Sequence, residues 1–288
     1  MAAMQPEAVA HFSKELERNP RSADAAYNLS LALLRSGRAG EALAALDRHP
    51  AGTADHHALR GAVLNALGRR EDAIPPLRRA VSLDPANAST LYDLVVTLLE
   101  TDNNGEAVAL LADARARFPK EAKIHAASGM AAYLTGKNPD AVRHYEAAVK
   151  LEPGAADFHA SLGDVQSALG DLVRAETAYA MAVRLDATEP EFQVKRGRNL
   201  VKLDRTKEAE AAFAAALRLD PDNAEAHFQT GKLSAARADH AAALKHLEKA
   251  VAGNPRLKEA WYQLSLAYRR AGRADQAKDA AERFRLLP

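Results

Sequence analysis

Along most of the chain a small residue, a bulky apolar one and a second small one recur at intervals of four and three. The sets are Ala73–Leu77–Ala80, Ala107–Leu111–Ala114, Ala141–Tyr145–Ala148, Ala175–Tyr179–Ala182, Ala209–Phe213–Ala216 and Ala243–Leu247–Ala250. That spacing puts three side chains on one face of an α-helix. Each set stands 34 residues after the previous one, and Ala277 continues the first ladder. Pro85, Pro119, Pro153, Pro221 and Pro255 keep the same period, with Ala187 in the one vacant place. Self-similarity at such a period marks an array of short units, each too small to bury its apolar face alone.

Every unit reads as two helices. The first begins just after the proline, with Asn87 or Asn223 at a position suited to cap an exposed amide. It carries a small residue where another helix must come close: Gly61, Gly129, Gly163, Gly197, Gly231 and Ser265. Gly68, Gly136, Gly170 and Gly272 mark the turn to the second helix. That helix bears the alanine ladder and stops at a polar stretch such as Leu219-Asp220-Pro221-Asp222-Asn223, because proline cannot continue it. The spacing predicts repeats 23–53, 54–87, 88–121, 122–155, 156–189, 190–223, 224–257 and 258–288. Residues 1–22 are expected to supply a capping helix through Ala8, Phe12 and Leu16. Pro75 and Pro76 are expected near the start of a second helix, where proline is tolerated.

These ladders resemble the tetratricopeptide repeat family, whose signature places Trp, Leu, Gly and Tyr on the first helix, then Ala, an aromatic, Ala and Pro. Trp261, Leu264, Ser265 and Tyr268 give the best first-helix match, with Ser in place of Gly. Elsewhere the Trp place holds His57, Leu91, His125, His159, Gln193 and His227, and the Tyr place Leu64, Leu98, Ala132, Gln166, Leu200 and Ser234. The second-helix half of the signature is strong and the first-helix half degenerate. The resemblance covers essentially the whole chain and implies an all-α, right-handed α-solenoid of antiparallel helix pairs.

Composition agrees with an all-helical reading. Apolar residues make up 48% of the chain and aromatics only 5%, so alanine and leucine dominate. Lys and Arg number 39 against 38 Asp and Glu, which argues against a chain dedicated to nucleic acid. The absence of cysteine excludes disulfides, thiolate nucleophiles and Cys-ligated zinc. No apolar run reaches the roughly 18 residues that a membrane span requires. Met1 to Pro20 shows no basic segment followed by an apolar block, so a cytoplasmic location is expected, with the periplasm or secretion as the alternative if a leader was removed.

No Gly-x-Ser-x-Gly elbow, phosphate-binding glycine loop or His-Glu-x-x-His is present, and neither catalysis nor a cofactor is expected. The ten histidines are read as packing residues, since no third metal ligand accompanies His125 and His159.

In the family resembled, first helices line a groove where ligands lie. The residues this implies are Tyr27, Asn28, Tyr92, Met130 and Tyr133 toward the N-terminus, then Lys195, Arg198, Lys202, Phe228, Lys232, Tyr262, Arg269 and Arg270. The face is thus expected to grade from aromatic to basic. A Glu191–Lys195 pair with the remaining charges merely solvated is the competing expectation. The function expected is a non-catalytic scaffold that binds an extended or helical, partly acidic segment of another protein. The alternative is the recognition module of a larger enzyme or of a secretion or envelope assembly. Self-association through the apolar Leu286-Leu287-Pro288 end is a further expectation.

Overall fold

The computed structural model describes residues 5–288. Among them are seventeen α-helices and no strand. The chain forms two compact units, one reaching Leu151 and one starting at Glu152. The first unit holds α1 (Gln5–Arg18), then the pairs α2 (Ala23–Arg35) with α3 (Ala39–Arg48), α4 (Ala54–Ala66) with α5 (Arg70–Leu83), α6 (Ala88–Glu100) with α7 (Asn104–Arg117), and α8 (Ala122–Leu134) with α9 (Asn138–Leu151). The second holds α10 (Ala156–Ala168) with α11 (Leu172–Leu185), α12 (Pro190–Lys202) with α13 (Thr206–Leu219), α14 (Ala224–Ala236) with α15 (His240–Gly253), and α16 (Lys258–Arg270) with α17 (Ala274–Leu286). Each unit is an α-solenoid of antiparallel pairs. Of the expected capping segment 1–22, residues 1–4 lie outside the described residues, and α1 lays Val9, Phe12 and Leu16 on the core of the first pair.

Most pairs close on one contact between a glycine and a large residue. A Cβ added to Gly61, Gly129, Gly163, Gly197 or Gly231 would lie 2.5–2.8 Å from the side chain of Leu77, Tyr145, Tyr179, Phe213 or Leu247 respectively. The glycine is therefore the socket for the bulky ladder residue of the second helix. Repeat 88–121 has Val95 in the socket, and α6 and α7 pack less intimately than the pairs closed on glycine. In the last pair Ser265 half-fills the socket and Ala281 stands where the knob would be. The bulk moves to Phe284, whose ring centroid lies 5.4 Å from that of Tyr262.

The turn inside every pair has three residues, and its middle residue has positive φ. Gly37, Gly68, Gly136, Gly170 and Gly272 take +72° to +81°, whereas Asp102, Asp204 and Ala238 take +58° to +62°. A reverse hydrogen bond from the third turn residue closes the first helix, as in Arg69 N–H to Leu64 O (2.9 Å) and Asp239 N–H to Ser234 O (3.0 Å). Asp tolerates this backbone conformation, but Ala238 has no compensating polar side chain. At the starts of first helices, Asn87 and Asn223 accept from the amides of Thr90 (3.1 Å) and Ala226 (2.9 Å). Pro75 and Pro76 lie beyond the first turn of α5, farther inside than expected, and the helix continues through them without the two amide bonds they remove.

The histidines at the Trp place have a specific task. Trp261 donates its indole N–H to Pro255 O at 2.8 Å, and His125, His159 and His227 put Nε2 at 3.1, 3.0 and 2.9 Å from Pro119, Pro153 and Pro221 O. An imidazole replaces the indole because both offer a ring N–H to the carbonyl that ends the preceding repeat. With Nε2 of His227 donating, its Nδ1 must accept, and it does so from Nδ1 of His246 at 2.9 Å. Among the described residues no cluster of three metal-ligating side chains exists.

Gly197→Ala is expected to destabilise the second unit by about 1–3 kcal/mol through overpacking on Phe213. A Gly197→Ala, Phe213→Leu double variant should lose less than the two single changes combined, read from urea midpoints. Ala238→Gly should stabilise by roughly 1 kcal/mol by relieving the left-handed backbone. Burial holds both His227 and His246 below the usual imidazole range, in His227 against the opposing effect of its bond to Pro221 O. The unfolded chain therefore binds more protons as pH falls through about 6.5, so their contribution is present above that pH and lost below it. Thermal melts should show less stability at acidic pH, and His246→Ala, which installs the residue found at Ala178 and Ala212, should weaken that dependence.

Candidate partner-binding face

The outward sides of the first helices form one face in each unit, because their opposite sides are committed to second helices. In the first unit α2, α4, α6 and α8 are successive neighbours. Tyr27, Tyr92 and Met130 are half-buried and rest against the cores of that unit, so they offer edges rather than whole side chains. Asn28 is half-buried, and Tyr133 is 40% exposed. The ammonium of Lys123 lies 5.7 Å from the centre of the Tyr92 ring. Burial raises the Asp93 carboxyl above the usual range, against the opposing pull of Lys123. Burial, and then the charge of Asp55, raises the Tyr27 phenol. This face is mainly aromatic and apolar.

In the second unit the face carries charges of both signs. Lys195 Nζ is 2.6 Å from Asp164 Oδ2, and the Tyr179 hydroxyl donates to the other oxygen of Asp164 at 2.8 Å. Burial and the negative charge of Asp164 push the Tyr179 phenol well up. Arg198 lies 3.8 Å from Glu225, whose carboxylate also accepts from Gln229 at 2.8 Å. Lys202 donates to Ser167 Oγ at 2.9 Å. The Glu191 carboxyl is raised by burial, which outweighs the opposing charge of Lys195.

Lys195 therefore pairs with Asp164 of the neighbouring first helix rather than with Glu191 on its own. The expected basic patch is partly neutralised from within. Asp164 was legible in the 34-residue register, where it shares a place with Arg198 and Lys232, and Glu225 stands one repeat after Glu191.

Phe228 does not face outward: it is 6% exposed and belongs to the core around Leu247 and Leu264, where the next repeat covers it. Its ring still meets the ammonium of Lys232, 5.1 Å from the centroid. Tyr262, at the equivalent place in the last repeat, is 45% exposed and packs at a tilt against Phe284. Arg269 and Arg270 are exposed, and among the described residues neither they nor Lys202 and Lys232 have a carboxylate within 4.0 Å. No described helix is long and apolar enough to cross a membrane.

Models described as tetratricopeptide repeat match residues 64–131 in one case, residues 6–57, 126–190 and 194–256 in a second, and residues 259–286 in a third. No curated protein matches the chain in sequence. Among solved structures, the chain resembles one from the APC/C hetero-tetramer Cut9–Hcn1, with TM-score 0.70 and 18% identity over 92% of this chain and 53% of that one. It resembles yeast Tom70 with TM-score 0.70 and 16% identity over 98% and 60% of the two chains. For Pseudomonas aeruginosa pilF the values are 0.60 and 20%, over 70% and 92%. The chain thus spans only 53% and 60% of the first two. At these identities the likeness is one of fold. With the ladders, sockets and turns repeated throughout, and one family model matching more than half of the residues, the chain belongs to the tetratricopeptide repeat family.

Proposed function

We propose that each unit's first-helix face docks a segment of another protein, and that the face of the second unit selects acidic groups. The family fold is generally a non-catalytic interaction module, and a protein-interaction scaffold is the role the repeats support. One observation carries the finer reading. Of the six cations expected on this face, Lys195 and Arg198 face internal carboxylates, whereas Lys202, Lys232, Arg269 and Arg270 do not. The cations without a carboxylate partner are the ones a partner's acidic groups can reach without first breaking an ion pair. On the first unit, the edges of Tyr27, Tyr92 and Met130, together with Tyr133, suit apolar side chains of a docked segment.

The test compares two variants in affinity capture from the source lysate, followed by titration of the captured protein. Lys232→Glu, Arg269→Glu, Arg270→Glu should weaken binding about tenfold or more and flatten its salt dependence. Lys195→Gln should instead lower stability, by leaving Asp164 without its cation, and affect binding less. Equal binding and an equal salt slope for wild type and the triple variant would sink the electrostatic part of the proposal.

A further inference from the structure

The junction between repeats 88–121 and 122–155 departs from the others in a coordinated way. Where α5 meets α6, three equivalent packing places hold Val81, Leu94 and Leu98, and where α15 meets α16 they hold Val251, Leu264 and Tyr268. Where α7 meets α8 the same places hold Arg115, Ser128 and Ala132. The bulk lost at Ala132 and Ser128 leaves a cavity of about 140 Å³, whose polar lining is Arg115, Ser128, Thr135, Lys137, Asp140 and His144. A cavity so lined is polar and cationic, in a place that is apolar core at the α5–α6 and α15–α16 junctions.

A second junction shows how this fold accommodates a cation among packed helices. Arg196, two repeats after Ser128 in the same register, places Nε 2.8 Å from Oε1 of Glu176, which is only 8% exposed. The place equivalent to Glu176 beside Arg115 is occupied by Val108. Among the described residues Arg115 reaches the Ser128 hydroxyl, at 3.4 Å. Asp140 shares the cavity, but its carboxylate is engaged by Arg143 on the same helix. Among the described residues no carboxylate lies within 4.0 Å of Arg115 or Lys137. Arg115 is half-buried and, among the described residues, has no internal counter-ion, which leaves its guanidinium available to an anion from outside.

The histidines point the same way. His246 satisfies Nδ1 of His227, but Nδ1 of His125 is buried without a partner, and the equivalent His144 lines the cavity instead. The ring centroids of His125 and His144 stand 6.2 Å apart, against 5.1 Å for His227 and His246.

We propose that this cavity binds a small oxyanion of the phosphate class, held by the Arg115 guanidinium and the Lys137 ammonium with His144 in its wall. The planar fork of Arg115 suits two oxygens of one anion, and Lys137 supplies a second charge. The remaining titratable and charged groups that face the site are Asp140 and Arg143 on α9 and His125 on α8.

Calorimetric titration of the full chain with inorganic phosphate, against sodium chloride at equal ionic strength, tests this. Half-saturation is expected at about millimolar phosphate. Arg115→Val restores the residue found at Val81, Val149, Val183 and Val251, so it should fold at least as well as wild type, and it should bind phosphate at least tenfold more weakly. Lys137→Gln should give a smaller loss of the same kind. Glycerol phosphate run in parallel separates free from esterified phosphate, and Arg115→Val should weaken both. Phosphate should also shift the NMR titration of His144 to higher pH in wild type and not in Arg115→Val. Retained affinity in Arg115→Val, a response no different from chloride, or an unmoved His144 titration would each overturn the proposal.

Discussion

Two helices can approach at short range only if one of them presents no side chain where the other places its largest. In this protein that condition is met by glycine on the first helix of most pairs, facing Leu77, Tyr145, Tyr179, Phe213 or Leu247 on the second. Much of the remaining architecture follows. The socket fixes the rotation of each first helix, since its glycine stripe must look at its partner, and so determines which residues are left looking outward. It also explains the exceptions. Val95 cannot accept a knob and holds α6 and α7 farther apart, and the last pair shifts its bulk by one turn to Phe284. Burying each large apolar ladder residue contributes about 1.5–3 kcal/mol. The array is therefore held by many similar contacts rather than by one central core.

Polar groups are handled with the same economy of pattern. The proline carbonyl two residues past a second helix receives a ring N–H from the next first helix, whether that ring is Trp261 or His125, His159 or His227. A neutral imidazole can do the work of an indole, but it brings a second nitrogen that needs its own partner. His246 answers that need in one repeat, whereas in another His125 keeps an unanswered nitrogen beside the cavity lined by His144. Charges on the first-helix face follow a comparable logic. Neighbouring first helices exchange ion pairs, Lys195 with Asp164 and Arg198 with Glu225, so that opposite charges meet across repeats rather than along one helix. Among the described residues Lys202, Lys232, Arg269 and Arg270 stand outside such pairs.

The 34-residue ladders by themselves determined the helix pairs, the glycine sockets, four of the turn glycines and the family, because each depends on residue type at a fixed spacing and on local backbone preference. Even the cations of the face were legible as a list of positions. What only the tertiary structure decided was which of them had partners. A Lys195–Glu191 pair is the choice that helix periodicity alone suggests, but the neighbouring helix brings Asp164 to 2.6 Å. Phe228 stands at an outward register position, yet the next repeat covers it, while Tyr262 at the same place is not covered. The cavity beside Arg115 arises from three residues on two helices and the absence of a fourth at Val108. It becomes visible only when adjacent repeats are packed together. Periodicity is a property of one helix, whereas burial, ion pairing and empty space belong to the contact between helices, and that contact is set by packing geometry rather than by spacing along the chain.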